Sequence, residues 1–339
     1  MSHEQHIANL PPVAWESVRS LGDKRRTALI TSPTALARSQ YLVSGLDVAE
    51  TVLIESSQQQ YAEKLAQTSS KADVCFLLGG GQVIDIGRYL ANAWQKEAIG
   101  IPSIISTDAP FVDCTGLRKD GCVTYVKSKR ADSIILDQEL LDNAPWRYHL
   151  SGCGDVLSIF TALFDWEYAN QNKKVTPGET YNQSVAVMAR GILDGLLSQA
   201  EEIKRGSEVG LSAIVTALAM EVQLCNLYGN SRPEEGGEHF FTYCIENKMG
   251  HFLHGEMVSF AVLLTGFLQC QDIRDLKQFM DDIRLTYKPE GLNRRIVREV
   301  LQELPQYVAM HKLGYSIYNN FNYIKEQTNI EHFFELIQL

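Results

Sequence analysis

The run Asp73-Val-Cys-Phe-Leu-Leu78 passes into Gly79-Gly-Gly81, and Gln82-Val-Ile-Asp85-Ile-Gly-Arg88 follows at once. No other stretch narrows the folding options of this chain as much. A continuous apolar strand that turns tightly into a helix belongs to a mostly parallel sheet covered on both faces. Glycines without Cβ atoms let the backbone approach an anion closely. The first N–H groups of the helix then point at that anion, and a dinucleotide pyrophosphate suits such a place. The spacing is not GxGxxG, and a plain strand–helix turn would use the same glycines, so both readings stand on local grounds. Asp85 also has two readings. It contacts the cofactor, or it is a first-turn carboxylate that suits the helix dipole.

The surrounding sequence repeats the alternation. Strands are predicted near 25–31, 51–55, 99–105 and 133–137, with helices from Ala35 and over 58–70. The strand at 99–105 ends in Ser106-Thr107-Asp108-Ala-Pro110, and strand ends are where α/β sheets bind ligands. Asp108 can orient a substrate hydroxyl or accept its proton; an Asp in a Pro-terminated turn is the plainer account. Arg118-Lys-Asp-Gly121 reads as a hairpin turn between Cys114–Leu117 and Val123–Val126.

Strand signals fade from about Asn143, and helices follow to the end. The expected division is an α/β domain over 1–147 and a helical domain over 148–339. Ser151-Gly-Cys-Gly-Asp155 is expected to open a long helix with Asp155 as its N-cap. Further helices are predicted over 181–203, 209–228, 273–287 and 294–306.

Two histidines stand out in this second half. Ser231-Arg-Pro-Glu-Glu-Gly-Gly-Glu-His239 is followed by Leu253-His254-Gly255-Glu256, so each histidine has a glutamate and glycine nearby. Fifteen residues hold a helix, a turn and the start of a second helix, which lets His239 and His254 project from neighbouring helices. Met257–Leu264 continues as a buried helix. Imidazole nitrogens suit zinc or ferrous iron, and a catalytic zinc needs about three protein ligands and an open position. Asp155 is the best candidate for the third. Taken alone, a histidine on a helix is more often a hydrogen-bonded surface or core residue. The spacing is not the H-x-x-x-H of zinc proteases either.

The totals bound the partners. A chain of 339 residues allows two domains with separate cores. A formal net charge of −10 does not suit nucleic acid or an anionic membrane surface. The N-terminal residues lack a signal-peptide pattern, and no uninterrupted apolar segment looks long enough to span a bilayer. The seven cysteines form no CxxC pair and are odd in number, so reduced thiols and a cytoplasmic location are expected.

Taken in order, five motifs carry a resemblance: the Gly79–Gly81 loop with Asp85, Ser106-Thr-Asp-Ala-Pro110, Gly154-Asp155 with Asp165-Trp166, Ser231-Arg-Pro…Gly236…Glu238-His239, and His254-Gly-Glu256. The chain resembles the iron-containing alcohol dehydrogenase and dehydroquinate synthase-like superfamily. Within it, the chain looks most like the sn-glycerol-1-phosphate dehydrogenase group, including its AraM-type members. Ser106–Pro110 looks instead like the glycerol dehydrogenases of the same superfamily.

The resemblance implies a Rossmann-like N-terminal domain, an all-α C-terminal domain, NAD or NADP, and one divalent metal, zinc favoured over iron. It places Asp155, His239 and His254 on the metal ligands and Asp108 on the residue that meets substrate hydroxyls. It places Gly79, Gly80, Gly81, Asp85, Ser106 and Thr107 at the cofactor. His251 matches no ligand. A polyol or polyol phosphate substrate and a homo-oligomer are also implied. Hydride transfer to or from sn-glycerol-1-phosphate is the leading expectation. The alternatives are a glycerol dehydrogenase, a sugar-phosphate cyclase, and a scaffold descendant that binds nucleotide without turnover. The group commonly carries lysine four residues after the ligand Asp, where this chain has Ile159, and lysine where it has Arg88. Its C-terminal arginine motif is weakly matched by His311-Lys-Leu-Gly-Tyr-Ser316.

Overall fold

The computed structural model describes residues 10–339 apart from 40, 41 and 251, so His251 lies outside the described residues. The chain divides between His149 and Leu150 into two compact units.

The first unit alternates strands and helices. Its elements begin with β1 (Val13–Trp15), β2 (Thr27–Thr31), α1 (Pro33–Ser39), β3 (Val48–Leu53) and α2 (Gln59–Ala66). They continue with β4 (Val74–Gly79), α3 (Gly81–Ala93), β5 (Glu97–Pro102), β6 (Cys114–Lys119), β7 (Cys122–Lys127), β8 (Ser133–Leu136) and α4 (Gln138–Asp142). Six strands form one sheet in the order β1-β8-β5-β4-β2-β3, and every pairing in it is parallel. Alternate residues of β4 feed two cores. Cys75 and Leu77 pack with Ile84, Leu90 and Ala62 on one face. Val74, Phe76 and Leu78 pack with Leu42, Ile101 and Leu140 on the other. Burial on both faces explains why β4 is apolar without interruption.

The hairpin turn falls where the sequence predicts it. Asp120 and Gly121 take φ of 51° and 76°, which joins β6 to β7 as an antiparallel pair. Two positive φ values in succession are the mark of a turn that follows strand twist. Strand β1 was not anticipated: its three residues are all exposed, so no buried face marks it in the sequence.

The division between the units falls inside α5 (Trp146–Leu157). Next come α6 (Ile159–Gln171), α7 (Gln183–Leu197), α8 (Ala200–Arg205), α9 (Glu208–Tyr228) and α10 (Gly237–Glu246). The last are α11 (His254–Leu268), α12 (Arg274–Ile283), α13 (Arg294–His311) and α14 (Tyr323–Ile337). From Leu150 on, the described residues contain no strand. Helix α11 is buried from Gly255 to Gly266 and forms the spine of this unit. Helix α9 is long and apolar enough to cross a membrane by length and composition, contrary to the expectation for this chain, and half of its apolar stretch is buried inside the protein.

One finding changes the reading of Asp155. The helix begins at Trp146, and Asp155 lies in its last turn. An N-cap role is therefore gone. Gly152 and Gly154 look like a helix start in the sequence, but at Gly154 the lack of a side chain serves packing. A Cβ there would lie 2.1 Å from the carbonyl oxygen of Gly255.

Candidate metal centre and cofactor loop

The second unit brings three predicted residues together. One ligand atom from each of Asp155, His239 and His254 lies within 4.8 Å of the other two. Their ring and carboxylate positions follow from three helices. Asp155 comes from the last turn of α5, His239 from the first turn of α10, and His254 opens α11. The imidazole centroids are 5.6 Å apart, and His254 Nε2 is 3.6 Å from Asp155 Oδ1. Asp155 and His239 are both 8% exposed. One carboxylate and two imidazoles form a donor set that suits a divalent metal.

The electrostatics of the group are acidic. Burial works against a charged His239, yet the hydrogen bond and charge of Glu238, with Glu235 and Asp155 behind, hold its imidazole up at about 9. Glu246 Oε1 stands 3.9 Å from His254 Nδ1. These surroundings favour positive charge at the cluster, which is what a cation supplies.

The backbone entering α10 is fixed by a second buried carboxylate. Asp165 accepts the N–H of Gly237 at 2.8 Å and the N–H of Ile317 at 2.9 Å. Burial, reinforced by the charge of Glu238, pushes its carboxyl up to about 7. Arg232 donates through Nη2 to the Tyr315 carbonyl at 2.9 Å and to the Asp165 carbonyl at 3.3 Å. Trp166 Nε1 donates to the Glu179 carbonyl at 2.7 Å. The Asp-Trp and Ser-Arg-Pro motifs thus anchor the segment that presents His239. Sequence reasoning saw both motifs but gave Asp165, Arg232 and Glu238 no task. The one local signal was the glutamate beside each histidine.

The first unit positions the glycine loop. Gly80 precedes α3 without any side-chain cap, so the N-terminal N–H groups of a thirteen-residue helix are left for an anion. The loop packs against the end of β5: the Ser103 N–H donates to the Gly79 carbonyl at 2.9 Å. A Cβ on Gly81 would lie 2.6 Å from Thr107 Oγ1, and one on Gly80 would lie 2.9 Å from Ile104 Cδ1. Gly81 and Thr107 therefore touch, and Ser106, Thr107 and Asp108 are half-buried at this strand end. Both loops lie at the carboxyl ends of neighbouring strands, β4 and β5, and the strand order reverses between β2 and β4, so the glycine loop adjoins the place where such sheets bind ligands.

Asp85 and Arg88 have a demonstrable structural task. Arg88 is fully buried and pairs with Asp85 Oδ1 at 2.5 Å. Its terminal nitrogens also donate to the carbonyls of Val112 and Cys114 at 2.6 Å each and Lys129 at 3.2 Å. The pair staples α3 to the β6–β7 hairpin, since Asp85 Oδ2 also receives the Gly116 N–H at 3.4 Å.

His149 fixes the strand end that carries Asp108. Its Nδ1 accepts the Ile105 N–H at 3.1 Å, and its Nε2 lies 3.0 Å from the Leu141 carbonyl. Burial pushes the imidazole below its ordinary value of 6.5. The folded chain then binds fewer protons than the unfolded one just below that value. The contribution of His149 to stability is complete above pH 6.5 and falls as pH drops toward the lowered folded value. Asp165, held up to about 7, works in the opposite direction over the same range, so the test is a difference: as pH falls through that window, the melting temperature of the wild type is expected to lose ground to that of His149→Gln. An unchanged slope in the variant would refute this role.

No family model matches the chain. Among curated proteins, a glycerol-1-phosphate dehydrogenase [NAD(P)+] of Natronomonas pharaonis is 30% identical over 78% of this chain and 77% of its own length. Among solved structures, glycerol dehydrogenase from Schizosaccharomyces pombe aligns at a TM-score of 0.72, with 18% identity, over 96% of this chain and 89% of that one. The 2-epi-5-epi-valiolone synthase ValA of Streptomyces hygroscopicus, solved with NAD+ and Zn2+ bound, aligns at a TM-score of 0.64, with 14% identity, over 100% of this chain and 99% of that one. The two structures share the fold: a parallel sheet with helices followed by a helical part. With 30% identity across more than three quarters of the Natronomonas protein, the chain belongs to the glycerol-1-phosphate dehydrogenase family.

Proposed function

We propose that this chain is a metal-dependent, NAD(P)-linked oxidoreductase that moves hydride between nicotinamide and a small polyol phosphate, sn-glycerol-1-phosphate and dihydroxyacetone phosphate being the best candidates. The observation that carries the reading is the convergence of Asp155, His239 and His254 within 4.8 Å, in a chain whose relative bears that activity and an NAD(P)+ requirement in its name. Asp155, His239 and His254 would hold the metal. When bound, the metal supplies Lewis acidity toward a carbonyl or hydroxyl oxygen, and nicotinamide supplies or accepts the hydride. Two neutral imidazoles and one carboxylate would leave a bound divalent cation with net positive charge, the sign that favours an electron-rich oxygen. Zinc is favoured over iron, and metal analysis of the purified protein decides between them.

Within the first unit, Gly79, Gly80 and Gly81 would receive the pyrophosphate at the uncapped start of α3, with Ser106 and Thr107 beside it. Asp108 would orient a substrate hydroxyl. Asp85 is placed near the loop but is engaged by Arg88, so its contribution to the cofactor would be to hold the hairpin.

One set of observations favours a second reading, a glycerol dehydrogenase acting on the unphosphorylated polyol. Ile159, where the family group carries lysine, is 1% exposed and packed as a core residue. Arg88 spends its terminal nitrogens on Asp85 and three carbonyls. Neither position offers a cation to a phosphate.

The deciding experiment follows NADH and NADPH oxidation with dihydroxyacetone and its phosphate separately, with added zinc and with a chelator control. Preference for the phosphate supports the first reading, and preference for the free ketone supports the second. Inactivity with both, in folded metal-loaded protein, overturns both and points to cyclase chemistry.

We also expect self-association. Val209, Met220 and Leu227 are 58%, 48% and 43% exposed, and with Ser212 and Thr216 they form an uncharged stripe along α9 at helical spacing. Val187 and Met188 of α7, which packs on α9, are 59% and 49% exposed. Exposed apolar side chains of this kind on two packed helices suit an interface between copies of the chain. Sedimentation of the full chain as a monomer at micromolar concentration would remove this expectation.

A further inference from the structure

Glu238 precedes the candidate ligand His239 and has no exposed surface. Its carboxylate is held on every side. Oε1 receives the Gly236 N–H at 2.6 Å, and Oε2 receives the Thr161 hydroxyl at 2.7 Å. Oε1 also lies 3.0 Å from His239 Nδ1. Thr161 is itself fully buried on α6, so the carboxylate is fixed by an element other than the helix that carries it. An ionised carboxylate only accepts hydrogen bonds. The nitrogen facing it must therefore carry a hydrogen whatever the state of the ring, and Nε2 becomes the donor to a cation once its own proton is displaced. A carboxylate behind an imidazole also raises the basicity of the far nitrogen.

We propose that Glu238 is the positioning residue of this metal centre: it fixes His239 as the Nδ1–H tautomer, aims Nε2 at the cation, and thereby sets metal affinity. This rests on the metal reading of Asp155, His239 and His254. At His254 the facing carboxylate stands farther off, with Glu246 Oε1 3.9 Å from its Nδ1. His239 is then the pre-ordered ligand, held in place before any cation arrives.

A purely structural role is the alternative to be separated, because Glu238 also ties down the Gly236 N–H. Glu238→Gln separates them. Its amide oxygen can still accept from Nδ1–H and the Gly236 N–H. Its NH2 can donate to Thr161 Oγ, which is free to donate to the Ser158 carbonyl at 3.2 Å. The shape and hydrogen bonds survive while the charge is lost.

The test uses metal-free full-length protein. Zinc is titrated in competition with a chromophoric chelator, the visible spectrum is recorded with Co2+, and thermal unfolding is run without metal. Glu238→Gln is expected to weaken zinc binding about tenfold and Glu238→Ala about a hundredfold, the range typical for groups behind metal ligands. The Co2+ bands are expected to shift in both. If Glu238→Ala fails to fold, Glu238→Gln decides alone. Folded variants with wild-type zinc affinity and an unchanged Co2+ spectrum overturn the proposal, whatever happens to the melting temperature. Failure of the wild-type protein to bind either ion is a different result: it removes the metal reading itself, and this inference with it.

Discussion

Replacing Gly255 with alanine is expected to disrupt the candidate metal centre without touching any of Asp155, His239 and His254. A Cβ on Gly255 would lie 1.7 Å from the Ser151 carbonyl oxygen, and a Cβ on Gly154 would lie 2.1 Å from the Gly255 carbonyl oxygen. The obstacles are backbone atoms, so no rotamer change relieves them. Ordinary carbon–oxygen contacts need about 3.3 Å, so α5 and α11 would have to part by more than an ångström. Asp155 follows Gly154, and His254 precedes Gly255, so any separation of the backbones moves two candidate ligands apart. Overpacking at a backbone contact belongs at the upper end of single-residue effects, about 4 kcal/mol. A displacement of about 1 Å at a reacting site costs roughly 10²-fold in rate. The expected result is a markedly lower melting temperature together with lost zinc binding. Gly178→Ala is the control. Nothing lies within 4 Å of a Cβ at that position, and its effect is expected to stay within about 0.5 kcal/mol. A Gly255→Ala protein that melts and binds zinc like the wild type would show that the helices part freely, and the argument would fail.

Gly154 also shows where the sequence misleads. Ser151-Gly-Cys-Gly-Asp155 reads as a helix start because glycine is a poor helix former and Asp a good N-cap. The structure keeps the helix running because tertiary packing overrides propensity: α11 needs Gly154 to come close. The parallel sheet was legible for the opposite reason. In β4, local pattern and tertiary setting agree, since a strand buried on both faces is apolar throughout. The Asp120-Gly121 turn was legible because positive φ selects those residue types. The pairing of His239 with His254 was permitted by their spacing, one helix and one turn apart, and implied by the ordered motifs rather than by spacing alone. Glu238 and Asp165 were not legible as partners. Their contacts, to Thr161 and to Ile317, span 77 and 152 residues of chain, and no local pattern encodes a contact of that range. Arg88 shows a further limit. Its position after a glycine loop suggests a phosphate, whereas its burial and four oxygen partners identify it as the staple of the β6–β7 hairpin.

Removing a candidate metal ligand is expected to produce the largest loss of activity. His239→Ala takes away the candidate ligand that the protein holds most firmly, and Asp155→Asn keeps the shape of another while removing its charge. A metal acting as Lewis acid supplies several kcal/mol of stabilisation to developing charge. With tenfold in rate for each 1.36 kcal/mol, losing about 4 kcal/mol means a fall in kcat/KM of roughly 10³-fold. Both variants are expected to show it in the nicotinamide assay, on whichever ketone the wild-type enzyme prefers. The candidate cofactor loop belongs to the other unit of the chain, so the dissociation constant for NADH, measured by fluorescence, is expected to change by less than about threefold. Chelation of the wild-type enzyme should reproduce the loss, and zinc should restore it. In Asp155→Asn, added zinc should restore little, because the neutral amide leaves the cation without its anionic ligand. The combination matters more than either number. Loss of turnover with retained NADH binding assigns His239 and Asp155 to the metal, whereas retained turnover in both variants would place the chemistry elsewhere in the chain. Parallel loss of turnover and NADH binding would mean that the substitutions had unfolded the protein, which a melting curve on the same sample distinguishes.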